Sequence, residues 1–147
     1  MQYVIKAITP EAAGFDELKA ESLAENFNML RRLDAGWRSG ENRFDASGEK
    51  LLGLYIDDRL AGVCGLNRDP FSECVRVGRI RHLYLSKKQR GAGAGRHLLL
   101  AIMSGAAEAF DYLNTHAPAS ASGFYLRMGF MPVDDEPRVT HRANCRA

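Results

Sequence analysis

No apolar run in this sequence is longer than six residues, Leu98 to Met103. A helix needs about 20 such residues to cross a bilayer, so no membrane span is expected. Cysteine is scarce: Cys64, Cys74 and Cys145 form no Cys-x-x-Cys pair, and three cannot all pair within one chain. They read as reduced thiols of a reducing compartment, and no metal site is expected. The first residues, Met1-Gln2-Tyr3-Val4-Ile5-Lys6, lack the basic region and apolar stretch of a signal peptide, so a cytoplasmic location is expected. An excess of one charge is missing too, with 20 Lys+Arg against 18 Asp+Glu and a net of +2. That balance argues against a nucleic-acid coat or a polybasic membrane binder. Repeats, linkers and low-complexity tracts are absent. A chain of 147 residues, 46% apolar and 26% charged, is expected to form a single domain over 1-147.

The charge is unevenly spread. Arg76 through Arg96 holds seven cations and no carboxylate, while the remaining 126 residues carry 13 cations and 18 anions. The same block contains the most glycine-rich stretch of the chain. An anion site on an otherwise acidic protein is the first functional expectation.

Periodicity supplies the element order. Tyr3 to Ile8 alternates and reads as a strand. Thr9-Pro10-Glu11 looks like a helix start, and apolar positions from Phe15 to Trp37 recur every three to five residues, as in two helices. Gly36 to Gly48 reads as a loop. Leu51–Ile56 and Leu60–Leu66 flank Asp57-Asp58-Arg59 as a hairpin. Val75 to Leu85 is a further strand whose alternation slips near Gly78-Arg79, as a bulge would cause. Arg96 to Phe110 and Ala119 to Met128 read as helices, the latter stopped by Gly129, with a short strand at Tyr112–Thr115 between them. Phe130–Val133 and Arg138–His141 would be the last strands. The fold class is therefore mixed α/β or α+β.

Gln89-Arg90-Gly91-Ala92-Gly93-Ala94-Gly95-Arg96 sits between a strand and a helix. Alternate glycines let several backbone N–H groups point inward, and the helix adds its unsatisfied donors and positive dipole end. Such a loop cradles a phosphate or pyrophosphate. It is not a P-loop, because Gly95 is followed by Arg96 and His97 rather than Lys and Ser/Thr. It is not a dinucleotide fingerprint either, because the glycines fall at 91, 93 and 95.

Arg90-Gly91-Ala92-Gly93-Ala94-Gly95 resembles the Q/R-x-x-G-x-G/A motif of the GNAT superfamily of N-acetyltransferases. About 30 residues on, Phe124-Tyr125-Leu126-Arg127-Met128-Gly129-Phe130 is similar to its second landmark, aromatic-Tyr-x-x-x-Gly-Phe. His82-Leu83-Tyr84-Leu85 looks like the strand that leads into the loop. The resemblance implies the acyl-CoA N-acyltransferase fold: a central, mostly antiparallel mixed sheet with a splayed strand pair and flanking helices. It implies acetyl-CoA as co-substrate and a small-molecule or peptide amine as acceptor, with no metal and with a homodimer possible. The amides of Arg90, Gly91, Ala92, Gly93, Ala94, Gly95 and Arg96 would hold the CoA pyrophosphate. The backbone of Leu83, Tyr84 and Leu85 would pair with the pantetheine arm, and Tyr125 would protonate the departing thiolate. A non-catalytic CoA-binding or interaction module on the same scaffold is the other reading the resemblance allows.

The resemblance names no base. Alternation places Arg79 and Arg81 on the face of Leu83 and Leu85, and neither arginine can take a proton. The Asn that many relatives carry about seven residues before the tyrosine is replaced by Pro118, leaving Asn114 or His116 as substitutes. Arg79 and Arg81 near the acyl end would favour an anionic acceptor, and Arg31, Arg32 or Arg38 could read a carboxylate on it.

Overall fold

Asp57 and Asp58 take positive φ angles of 48° and 65°. Two consecutive left-handed residues make the tight turn whose twist matches that of paired strands. They join β2 (Lys50–Ile56) to β3 (Arg59–Arg68) as the aspartates anticipated. The computed structural model describes residues 3–145. Around this hairpin lie β1 (Tyr3–Ala7), α1 (Phe15–Ala24), α2 (Met29–Ser39), β4 (Val77–Leu85), α3 (Ala94–Met103), β5 (Tyr112–Thr115), α4 (Ser122–Arg127), β6 (Met131–Pro132) and β7 (His141–Asn144). The order of helices and strands is the one periodicity predicts.

The sheet runs β1-β2-β3-β4-β5-β7-β6, antiparallel throughout except for β4 beside β5. One face carries α3 and α4 over Leu54, Leu66, Ile80, Leu98 and Ile102; the other carries α1 and α2 over Phe15, Leu30, Leu33, Val63 and Tyr84. Helices on both faces explain why β3 is buried from Leu60 to Asn67 and reads as a nearly continuous apolar run.

Several boundaries shift by one to three residues, and four differences from the sequence reading are larger or bear on the cleft. Helix α1 starts at Phe15 rather than at Pro10, because the Thr9 hydroxyl accepts from the Glu11 amide at 3.1 Å and Thr9 O from the Ala12 amide at 3.0 Å. Those bonds make a turn, which Gly14 (φ 88°) converts into the helix start. Helix α3 ends at Met103 rather than at Phe110. The Lys50 ammonium donates to Ala101 O and Ser104 O, both at 2.9 Å, and Gly105 (φ 75°) turns the chain away. The last strand is His141–Asn144 rather than Arg138–His141, because its ladder partner is Tyr112–Thr115 of β5.

The fourth difference matters most. The bulge lies at His82–Leu83, not at Gly78–Arg79. Arg81 pairs with Gly65 and Tyr84 with Val63, so His82 and Leu83 share one opposing residue, Cys64. His82 takes φ 61°, a left-handed value that a non-glycine side chain adopts at a cost. The extra residue switches the faces of β4. Ile80, Leu83 and Leu85 lie toward α3 and α4, and Tyr84 toward α1 and α2. Arg79 and Arg81 therefore do not share the face of Leu83 and Leu85.

Candidate active site

Strands β4 and β5 pair only where Val77–Arg79 meets Tyr112–Asn114. Beyond Arg79 they part, and the β5-facing edge of β4 has no strand beside it. A buried polar network pins the fork. Arg79 donates to Asp69 at 3.1 Å and to Arg138 O at 2.8 Å, Asn114 donates to Asp69 at 2.9 Å, and Arg142 donates to Asn114 at 2.7 Å. Burial pushes the Asp69 carboxyl up, but the bonds from Asn114, the Phe71 amide and Arg79 outweigh it and hold it below the usual range. Asn114 is thus occupied at both ends of its amide.

The splay opens a cavity of about 1390 Å³. One small ligand usually fills about 300–1,000 Å³, so the space suits two substrates side by side. Leu83, Tyr84 and Leu85 line it, as do the glycine loop, Pro118, His116 and Tyr125.

Gly91 and Gly93 have φ of 83° and 87°, and a Cβ at either would meet nothing within 4 Å. They are needed for backbone angle, and their open side leaves the main chain accessible. Gly95 is needed for space: its Cβ would sit 2.9 Å from Leu85 Cδ1 as α3 settles onto β4. Among the described residues, the first amide after the loop to find a carbonyl is that of His97, which donates to Gly93 O at 3.2 Å. The Arg90 amide lies 3.5 Å from Lys87 O, and the Tyr3 hydroxyl donates to Ala92 O at 3.0 Å. The Arg96 side chain lines the cavity without a carboxylate partner among the described residues.

Arg90 is used differently. Its guanidinium grips Glu25 through two bonds of 2.9 and 2.6 Å and donates to Leu85 O at 3.1 Å. Glu25 is lowered to about 2, first by Arg90 and then by Tyr84. The single Tyr84 hydroxyl proton lies between Glu21 at 2.6 Å and Glu25 at 2.5 Å, while Glu21 also accepts from Ser86 and the Lys87 amide. Burial, then these two carboxylates, push the Tyr84 phenol up. The side chains of Arg90 and Tyr84 therefore brace the loop against α1. Sequence reasoning missed Glu21 and Glu25, which lie 65 residues from Ser86 and Arg90 and carry no motif of their own.

Tyr125 is buried on α4, with Phe124 and Phe130 edge-on at 5.3 and 5.1 Å and His141 stacked at 5.7 Å. Burial and the nearby Cys64 raise its phenol, against a weaker hydrogen bond with Thr115. It keeps its proton at neutral pH. Gly129 (φ 92°) ends the helix and returns Phe130, whose amide donates to Tyr125 O at 3.0 Å.

His82 lines the cavity from the bulge and is held down to about 3, first by burial, then by Arg81 and Arg32. The folded ring stays neutral, whereas an unfolded one takes a proton near 6.5. The unfolded state thus binds the extra proton, and this contribution to stability is full above 6.5 and declines as pH falls toward 3. Urea unfolding over that range should show stability dropping, with a shallower slope in His82→Gln. An unchanged slope in the variant would remove His82 as its source.

The described residues contain no group of three or more His, Cys, Asp and Glu able to hold a metal, and no helix long and apolar enough to cross a membrane.

A splayed parallel pair, a glycine loop at a helix start and a buried phenol border one cavity. Residues 11–143 match the family model described as "Acetyltransferase (GNAT) domain". The chain belongs to the GNAT acetyltransferases. Among solved structures, a protein from Exiguobacterium sp. 255-15 assigned as an acetyltransferase is 27% identical, with 98% of this chain and 94% of that one covered and a TM-score of 0.86. A GNAT-family acetyltransferase from Staphylococcus aureus Mu50 is 17% identical, with 99% and 100% covered and a TM-score of 0.74. A Klebsiella pneumoniae protein assigned as an acyl-CoA N-acyltransferase is 21% identical, with 97% of each chain covered and a TM-score of 0.65. The last two likenesses bear on the fold alone. No curated protein matches the sequence.

Proposed function

We propose that this chain, acting as one cytoplasmic domain, transfers the acetyl group of acetyl-CoA to a primary amine of a small molecule or peptide by direct attack. The observation that carries the reading is the meeting of the open β4 edge, the glycine loop and the Tyr125 phenol in one cavity.

The residues present suit the co-substrate. Outward-opening glycines and the α3 start leave the amides of Gly91 through Arg96 fit for a pyrophosphate, with that of Arg90 turned back toward Lys87 O, and Arg96 adds charge. The main chain of Leu83, Tyr84 and Leu85 suits a pantetheine arm laid along a strand edge that lacks a partner. Acetyl-CoA, when bound, supplies an activated acyl thioester.

The chain's own groups do the rest. Tyr125 holds a proton for the departing sulfur. The bulge at His82–Leu83 leaves a residue out of the ladder, and the amide near Leu83 is a fixed donor for the acyl oxygen. Cys64 is buried and pushed up to about 12, which makes it a poor nucleophile and favours direct attack over an acyl-enzyme. The acceptor's proton leaves through water, since no carboxylate lines the cleft, Arg79 and Arg81 accept no proton and burial holds His82 down to about 3. Acetyl-CoA incubated with a panel of primary amines should yield CoA thiol and N-acetylated amine in equal amounts. Thiol release without acetylated amine overturns the reading.

A further inference from the structure

We propose that the acceptor amine carries a carboxylate, and that Arg32 of α2 and Arg81 of β4 bind it inside the cleft. This rests on the N-acetyltransferase reading and adds the acceptor class to it. The observation is one of sign: among the described residues, seven arginines line the cavity and no Asp or Glu does. Two are matched from outside, Arg79 by Asp69 and Arg90 by Glu25. Arg96 stands at the glycine loop and Arg127 at the end of α4. Arg32, Arg81 and Arg138 remain, and none makes an ion pair among the described residues.

These three gather at the other end of β4. Burial, then Arg32 and Arg79, lower the Arg81 guanidinium, and the opposing pull comes from Asp69, already tied to Arg79, and from Glu41. Arg138 and Arg79 lie over the Phe71 ring at 4.4 and 4.9 Å, which sets a flat wall beside them. Of the three α2 arginines open in the sequence, Arg38 is drawn off by Asp34 and Glu11, and only Arg32 lines the cavity. Like charges held together in a partly dry cleft repel, and a carboxylate that two guanidinium forks can grip relieves that repulsion. The same field disfavours an ammonium group, so the acceptor's amine loses its proton more readily there. That eases the step for which no carboxylate lines the cleft. It also repels polyamines, whose charge has no counterpart on the walls.

The test is a matched acceptor series at saturating acetyl-CoA: an amino acid with a free carboxylate, its methyl ester, its amide, and a polyamine. The free acid should show kcat/KM about 10- to 100-fold above ester and amide, as expected for losing charged hydrogen bonds. Arg32→Gln and Arg81→Gln should each raise KM for the acid and erase most of its advantage, with acetyl-CoA affinity by calorimetry changed less than about threefold. Arg32 is exposed, so its variant tests the idea without risk to the fold. Preference for the ester, amide or polyamine, or an advantage that survives in the double variant, overturns the proposal. Wild-type protein that acetylates uncharged amines but no amino acid overturns this inference alone. Failure of the wild type to bind acetyl-CoA overturns the N-acetyltransferase reading and this inference with it.

Discussion

Tyr125→Phe should lower kcat by about 100- to 10,000-fold, the usual worth of a positioned general acid. Acetyl-CoA affinity and the unfolding midpoint should stay near wild type, because phenylalanine keeps the ring that packs against Phe124, Phe130 and His141. The hydroxyl's bonding partner is Thr115, which also reaches Ile80 O at 3.4 Å, so removing the phenol oxygen strands no buried group. Burial keeps the phenol protonated at neutral pH, and the substitution therefore removes a proton and little else. Single-turnover thiol release, with calorimetry and thermal melts on the same samples, reads all three quantities. A wild-type rate in the variant would end the acid assignment. Equal CoA binding by both proteins with no amine acetylated by either would favour a non-catalytic CoA-binding module.

Gly93→Val should cut CoA affinity by about 100-fold or more. A β-branched residue at φ 87° costs about 1–3 kcal/mol, and its side chain would project into the space open to the ligand. Nothing in the protein lies within 4 Å of that Cβ, so core packing is untouched: the stability loss is limited to the backbone strain, and the loss of binding comes on top of it. Gly95→Val is the contrast. Its side chain would press on Leu85 between α3 and β4, so that variant should lose about 1–3 kcal/mol of stability in urea unfolding. Both variants thus lose some stability, and CoA affinity is the assay that sets Gly93→Val apart. Normal CoA affinity in Gly93→Val would remove the loop from the site.

The legible parts of the sequence were the short-range ones. Asp57-Asp58 announced a hairpin because the turn's angles depend on those two residues. The glycine loop and the Tyr125 segment were readable because strand, loop and helix follow one another directly. Boundaries slipped where a distant partner decided them. Lys50 holds the end of α3 at Met103 through Ala101 O and Ser104 O, and β5 sets where β7 begins. The bulge was expected, yet four residues too early, because alternation shows that register slips without showing which residue on β3 absorbs it.

What the sequence determined by itself was the order of elements, the phosphate-suited loop and the tyrosine landmark, along with a basic block of seven cations. Only the tertiary structure decided which of those cations are neutralised and which stand open in the cleft. Arg76 turns to Asp111; Arg79 and Arg90 line the cleft but are held by Asp69 and Glu25, while Arg81 is joined there by Arg32 and Arg138 from outside the block. The reason is physical. Backbone propensity and turn angles act within a few residues, whereas the pairing of a charge depends on which strand lies beside which. That is settled only when the sheet closes and one residue, His82, bulges out of register.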